Sequence, residues 1–512
     1  MSVKRIKVIY LLLLTMLFIT SCTVNPVTGQ NEFLLMSKQQ EITLGKKNYS
    51  PSRQAQGGDY YIDAELQSYV AGVGKKLATF SAQPNLPFEF IVLNNSVPNA
   101  WALPGGKIGI NRGLLMYLED EAQLAAVLSH EIVHAAARHS AAQMSRGTLL
   151  SLGVMAVGVT AKDNDQLYSL ASQAGAAAWL AKYGRDDELE ADYYGMDYMA
   201  QAGYDLEGAV ELQETFVSLS KDRATSFLSA LFASHPPSMK RVEANRIKAR
   251  TLPGGDRGRT RFQTAIRQLK KDEPAYEAGE KAKEALKKDD PRSALSSLDK
   301  AVSLQPDEFS FWVLRGKAWE ALGKKDNADK AFSTAIRKNR DHFSGYLERG
   351  ILRHDKGERA KGLADIKLSY ALLPTPAASY YLGEAEMSAK NYAKAENYFY
   401  LAANARGNMG DLSRKSLQIA QQQLYPERFI SAELVFNPAG DIVISLINNA
   451  TVSIGYIQLQ IRYEGVSRTI TWKEKIQPQD RVMVSSGILR VEALATRQEL
   501  PEVRIVAARI AE

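Results

Sequence analysis

His130-Glu131-Ile132-Val133-His134 lies between Leu124-Ala125-Ala126-Val127-Leu128-Ser129 and Ala135-Ala136-Ala137, so a metal-binding residue pattern sits on an otherwise apolar helix. Helical residues four apart project from one face. Two imidazole nitrogens there can bind one metal ion while Glu131, one step round, reaches a bound water. Asp120, followed three residues later by Gln123, reads as the cap and box of this helix, and Leu124, Val127, Leu128, Ile132 and Val133 supply an apolar stripe at helical spacing. Two histidines and a carboxylate are costly to bury unless a metal or a hydrogen-bond network takes them up, which favours a zinc site over a charged patch.

Catalytic zinc usually takes three protein ligands and leaves a fourth position open, so a further donor must come from elsewhere. Arg185-Asp186-Asp187-Glu188-Leu189-Glu190-Ala191-Asp192 opens a second helical stretch dense in carboxylates. Glu188 and Asp192 share a face, so Glu188 can bind metal while Asp192 hydrogen-bonds a ligand histidine, with Glu190 pointing away. An acid-rich first turn favoured by the helix dipole accounts for the same residues.

The segment His130 to Gln143, together with Glu188-Leu-Glu-Ala-Asp192, resembles the HtpX/CAAX-prenyl-protease family of gluzincin metallopeptidases, and more narrowly its periplasmic BepA-type branch. Asn99-Ala-Trp-Ala-Leu-Pro-Gly-Gly106, Ser234-His235-Pro-Pro-Ser-Met-Lys-Arg241 and Asn25-Pro-Val-Thr-Gly-Gln30 match that branch as well. The resemblance implies one zinc ion per chain, Glu188 as third ligand beside His130 and His134, and Asp192 as partner of a ligand histidine. It also associates His235 with the zinc, occupying the open position in a latent state or assisting the transition state. A His-Pro loop histidine that bonds only backbone remains the alternative. Glu131 is the expected base, taking a proton from water and passing it to the leaving amine.

Asn99, Gly106, Ile108 and Arg241 are the candidate substrate-contacting residues. Leu-Pro-Gly-Gly is a turn signal, and Lys107-Ile108-Gly109-Ile110 alternates like a short edge strand able to pair with an extended peptide; a purely structural hairpin is the other reading. Arg241 can orient a carbonyl or substrate terminus, or form a salt bridge. His139, five residues beyond His134, is rotated off the metal face and is read with Arg138 and Gln143 as packing and hydrogen-bond support. His342 and His354 read as surface residues.

Lys4, Arg5 and Lys7 precede an apolar run from Val8 to Ile19 that ends in Thr20-Ser21-Cys22, a secretory leader too short for an ordinary span. Cys22 is the only cysteine, so no intrachain disulfide forms; at this position it resembles a bacterial lipobox, with Thr23 in the place that directs outer-membrane sorting and leaves the body periplasmic. An uncleaved anchor is the alternative. With 64 basic and 57 acidic residues the net charge is +7 and the signs are mixed, which does not support nucleic-acid binding.

After the turn-rich Thr251–Gly258, Trp312, Gly316, Trp319, Ala328, Phe332 and Ala335 fall where a 34-residue tetratricopeptide repeat wants them, with Ala294, Leu298 and Ala301 one period earlier and Gly383, Ala395, Phe399 and Ala402 later. Stacked helix pairs of this kind bury a continuous core and usually present a concave surface to protein segments. In the BepA-type branch such repeats contact the machinery that assembles outer-membrane β-barrels, and the resemblance carries that partner here. From about Arg428, Ile457, Leu459, Ile461 and Tyr463 alternate with polar residues, and further short strands suggest a small β-sandwich that the BepA-type pattern lacks. Gly147 to Ala161 is apolar yet too short to span a bilayer, and reads as a buried helix or a flap.

The chain is therefore expected to be multidomain and mainly α: a leader (1–21), an N-terminal tether (22–50), an α+β zincin-like protease domain (51–258), an α-solenoid of repeats (268–425) and a β-rich domain (428–512). The expected function is a lipid-anchored zinc endopeptidase acting on unfolded or misassembled envelope proteins. The alternative is a non-proteolytic chaperone or scaffold with a latent zinc site.

Overall fold

The computed structural model describes residues 22–156, 183–221, 229–437, 441–463, 466–488 and 502–511, which fall in two compact units, 1–352 and 353–512. The expected leader, residues 1–21, and residues 157–161 of the apolar segment lie outside the described residues. The unit boundary falls inside the repeats because one apolar core runs from Leu66 and Val70 through Leu128 and Ile132 to Phe311 and Ala318.

In the first unit β1 (Cys22–Val24) pairs antiparallel with β2 (Asn31–Phe33), and α1 (Lys38–Ala55) follows. Residues 22–50 are thus folded onto the body and do not form the expected tether. Leu34 packs on Ala141 and Ala142, and the Leu35 N–H donates to Ser145 Oγ at 2.9 Å. Next come α2 (Ala64–Ala78) and a three-stranded sheet of β3 (Glu89–Leu93), β4 (Ala100–Leu103) and β5 (Lys107–Asn111), in the order β3-β5-β4.

That order corrects the edge-strand expectation. β5 is central, parallel to β3 and antiparallel to β4, and Ile108 is fully buried between Phe90 and Ala102 in register. The Lys107–Ile110 alternation misled because the buried Lys107 ammonium is paired with the exposed Glu89 and the Pro87 carbonyl, while Gly109 makes room for the Trp101 ring, 2.5 Å from where a Cβ would stand. The outer strands are β3 and β4.

The chain continues through α3 (Arg112–Leu115), α4 (Glu121–Ala136), α5 (His139–Ala156), α6 (Arg185–Gln201), α7 (Glu207–Lys221), α8 (Ser229–Ser234) and α9 (Met239–Ala249). Thr251–Gly258 is not a free linker. The Ala122 N–H donates to the Arg257 carbonyl at 3.1 Å, Arg257 Nε to Asp120 Oδ2 at 2.7 Å, and Arg261 Nε to Glu121 Oε2 at 2.9 Å, so the segment after α9 clamps the start of α4.

The repeat helices are α10 (Arg259–Ala265), α11 (Arg267–Lys287), α12 (Pro291–Leu304), α13 (Phe309–Ala321), α14 (Lys325–Lys338), α15 (Phe343–Asp355), α16 (Arg359–Leu372), α17 (Pro376–Ser388), α18 (Tyr392–Ala403) and α19 (Asn408–Leu424). α11 packs on α12, α13 on α14 and α17 on α18. A missing Cβ permits each close approach: one placed on Gly316 would stand 2.3 Å from Phe332, and one on Gly383 2.5 Å from Phe399.

His342 is buried, contrary to expectation, because the repeats fold back on α1. Its ring lies against Phe309 at 4.5 Å and above Gly58, whose φ of 77° and lack of a Cβ leave the space. Burial pushes its pKa down to about 4. The folded value lies below the unfolded one of about 6.5, so this seam keeps its full stability above that pH and loses up to roughly 3 kcal/mol as pH falls toward 4. Thermal unfolding across that range should therefore show a slope that His342→Phe reduces. His354 is half-buried against Tyr381.

In the second unit β6 (Ile430–Phe436), β7 (Ile442–Asn448) and β10 (Arg481–Ile488) form one sheet, and β8 (Ile454–Tyr463), β9 (Val466–Trp472) and β11 (Glu502–Ile510) another. Ile444 and Leu446 from the first and Ile457, Leu459 and Ile461 from the second make one core, as the period-two alternation implies. Among the described residues no helix is long and apolar enough to cross a membrane.

Candidate metal centre

The start of α4 is fixed by Asp120, whose Oδ1 accepts the Gln123 N–H at 3.0 Å, while Gln123 Oε1 accepts from the Glu119 N–H at 3.0 Å. Every residue of the helix is buried, and its register turns His130 and His134 toward α6 and the loop after α8. His130 Nε2 stands 3.0 Å from His134 Nε2 and 3.3 Å from His235 Nδ1. Glu188 closes the group, with Oε1 3.4 Å from His134 Nε2 and 3.0 Å from His235 Nδ1, and Oε2 3.5 Å from His130 Nε2.

These spacings are what a cation requires. Donors held about 2.0–2.1 Å from zinc at tetrahedral angles stand about 3.4 Å apart, and three imidazoles with one carboxylate are zinc donors. Four protein donors complete a tetrahedron, whereas a catalytic site keeps one position open. Glu131 lies beside the group, its Oε1 3.5 Å from His235 Nε2 and its buried Oε2 without a hydrogen-bond partner.

The electrostatics point the same way. Burial opposes a charge on His130, but Glu188 and Asp192 outweigh it and push its pKa up to about 10. Burial, with His130 beside it, holds His134 well below the usual range. Burial also opposes ionisation of Glu188, yet His235 and His130 keep it well below the carboxylate range. The pocket thus favours a cation among its donors, while burial raises the pKa of Glu131 and suits it to carrying a proton.

Around the donors, His130 Nδ1 donates to Asp192 Oδ1 at 2.9 Å, which leaves Nε2 with its lone pair toward the group. Arg241 donates to Asp192 Oδ2 through Nε at 2.6 Å and lies 2.7 Å from Glu188 Oε2 through Nη1. It forms the salt bridge of the two sequence readings, and with 4% exposure its fork is committed to these carboxylates. Gly106 and Ile108 are buried in the sheet, and Asn99 is buried with its carbonyl accepting the Asn111 N–H at 2.8 Å, so the structure does not bring these three into the donor group.

Sequence reasoning missed Tyr183. Its ring stacks on His134 at 3.8 Å, and its hydroxyl lies 3.0 Å from Ser140 Oγ and donates to the Ala102 carbonyl of β4 at 3.5 Å. Tyr183 precedes α6 and carries no periodic or motif signal. His139 reaches His134 because the helix stops first: Arg138 takes a left-handed φ of 66°, held by Glu41 and by the Met36 carbonyl at 2.7 Å, and turns His139 back. The rotation expected of a continuous helix does not apply across that break. An apolar cavity lined by Met196, Leu212, Phe216 and Leu231 lies beside Glu131 and His235.

The model of Peptidase family M48 matches residues 64–249, which hold every one of these donors. A putative beta-barrel assembly-enhancing protease of Vibrio cholerae is 29% identical over 199 residues, 37% of this chain and 40% of that protein. The beta-barrel assembly-enhancing protease of Escherichia coli is 26% identical over 228 residues, 41% of this chain and 46% of that protein. The chain thus spans less than half the length of these two relatives. Metalloprotease YcaL of Escherichia coli is 34% identical over 185 residues, 35% of this chain and 71% of that protein. Identity at that level over most of a relative's length, with the family model matching the segment that carries the donor atoms, makes this chain a member of peptidase family M48.

Proposed function

We propose that the chain is a zinc-dependent endopeptidase that cuts extended or unfolded envelope polypeptides, with one zinc held by His130, His134 and Glu188 and with His235 as a displaceable fourth donor. The observation that carries this reading is the convergence of those four donor groups beside a buried carboxylate with no other partner. Bound zinc acidifies a water and polarises a carbonyl. Glu131 accepts the water proton at Oε2 and delivers it to the leaving amine, the raised proton affinity of its buried carboxyl favouring both transfers. Asp192 fixes the His130 tautomer, Arg241 keeps Asp192 ionised, and His235 and His130 hold Glu188 ionised. β4 is an outer strand available to an extended peptide, and Tyr183 must turn from the Ala102 carbonyl to admit one.

The four-donor arrangement also supports a resting state that is closed, and hence a second reading in which the chain serves as a chaperone or scaffold with a latent site. Cleavage of casein by the purified chain, with and without a chelator, separates the two: chelator-sensitive cleavage supports the enzyme, and none with stoichiometric zinc supports the scaffold. In the enzyme, His235→Ala should raise cleavage roughly tenfold, the gain expected if the competent state rises from a tenth of the population to nearly all. Unchanged rate and zinc affinity would remove His235 from the mechanism.

The repeats serve as a docking surface for a protein partner, and the machinery that assembles outer-membrane β-barrels is the partner that the names of the relatives support. Cys22 carries lipid and holds the chain in the periplasm at a membrane, the outer membrane by the residue that follows it; incorporation of a labelled fatty acid should disappear in Cys22→Ser.

A further inference from the structure

His130 and His134 are oriented in different ways. The first gives its Nδ1 hydrogen to a carboxylate, whereas His134 Nδ1 lies 2.7 Å from another ring nitrogen, Nδ1 of His139. With Nε2 of His134 turned to the donor group, its hydrogen is on Nδ1 and is donated to His139 Nδ1. The remaining His139 hydrogen is then on Nε2, 3.2 Å from Glu190 Oε1. That same oxygen accepts from Asn25 Nδ2 at 3.2 Å. Each hydrogen has one acceptor, so the series fits a single set of tautomers.

Asn25 opens the turn of the N-terminal hairpin. Its Oδ1 accepts the Val27 N–H at 2.8 Å and the Thr28 N–H at 3.3 Å, and its backbone N–H donates to the Gln30 carbonyl at 2.7 Å. The second Nδ2 bond goes to Glu32 Oε1 at 3.0 Å. Asn25 and His139 are each 1% exposed, so both ends of the path are sheltered from competing water, while Glu190 between them is partly exposed. Tyr183 restrains the face of the His134 ring, and His139 restrains its rotation in plane.

We propose that the Asn25–Gln30 turn is a brace for the metal centre: seated on α6, it acts through Glu190 and His139 to lock the tautomer and plane of His134, and so slows metal loss. Asn25, Glu190 and His139 are positioning residues. The inference rests on His134 being a zinc ligand, as proposed above.

The test measures release of zinc from the loaded full chain to a chromogenic chelator, together with the visible spectrum of the cobalt(II)-substituted protein. Asn25→Asp keeps Oδ1 for the turn but replaces the donor with a carboxylate facing both Glu190 and Glu32, and Glu32→Gln serves as the control for the hairpin contact alone. Asn25→Asp should release zinc about tenfold faster, and Glu190→Gln by a similar factor, with a shifted cobalt spectrum in both. Combining Asn25→Asp with Glu190→Gln should release zinc no faster than the faster single variant, because both substitutions act on one path to His134. Release from Asn25→Asp at the unmodified rate, or single-variant effects that multiply in the double variant, would overturn the brace alone. No zinc in the unmodified chain would overturn the metal reading and the brace with it.

Discussion

Glu131→Gln is expected to lower peptide cleavage by roughly 10²–10⁴-fold while zinc content and fold stay unchanged. The amide has the shape of the carboxylate, and among the described residues the position makes no ion pair with Arg or Lys whose loss would unsettle the core; its Oε1 lies 3.5 Å from His235 Nε2. What disappears is the one group beside the donors able to accept a proton and return it, since Glu188 and Asp192 are held ionised by histidines and Arg241. Metal analysis alongside cleavage of an unfolded test protein checks this. Cleavage at the original rate would show that Glu131 is not the base. The same variant, inactive yet still able to bind, should trap native substrates in cells.

Arg241→Leu carries the second large effect. The guanidinium is buried between Asp192 and Glu188, and removing it leaves two carboxylates without their cation in a closed pocket. Breaking a buried pair in this way costs about 3–5 kcal/mol. Zinc supplies part of the missing positive charge, so the metal-free variant should lose more stability than the loaded one, and zinc should raise its unfolding midpoint further than it does in the unmodified chain. Equal midpoints for the metal-free variant and the unmodified chain would show that Asp192 and Glu188 find other partners.

Local periodicity made much of the architecture legible. Ile457, Leu459 and Ile461 alternate with Gln458 and Gln460 and are buried as that pattern requires. Gly316 and Phe332 meet because a repeat needs a residue without a side chain opposite a large one. The sheet was less legible: the Lys107–Ile110 alternation suggested an edge, and only the pairing of Lys107 with Glu89 explains how a lysine opens a central strand. His342 read as exposed because nothing near it in the chain shows that α1 and Gly58 cover it.

The sequence by itself determined the donor types and the register of His130, Glu131 and His134, because the four-residue spacing of a helix is a property of adjacent turns. Only the tertiary structure decided which distant groups join them. It brings up Glu188 and His235, stacks Tyr183 on His134, and commits Arg241 to the carboxylates. It also turns His139 back through the left-handed Arg138. The reason is physical: hydrogen bonds and ion pairs act over a few ångströms, and which residues lie that close depends on where helices end and how sheets and loops pack, which local periodicity does not record.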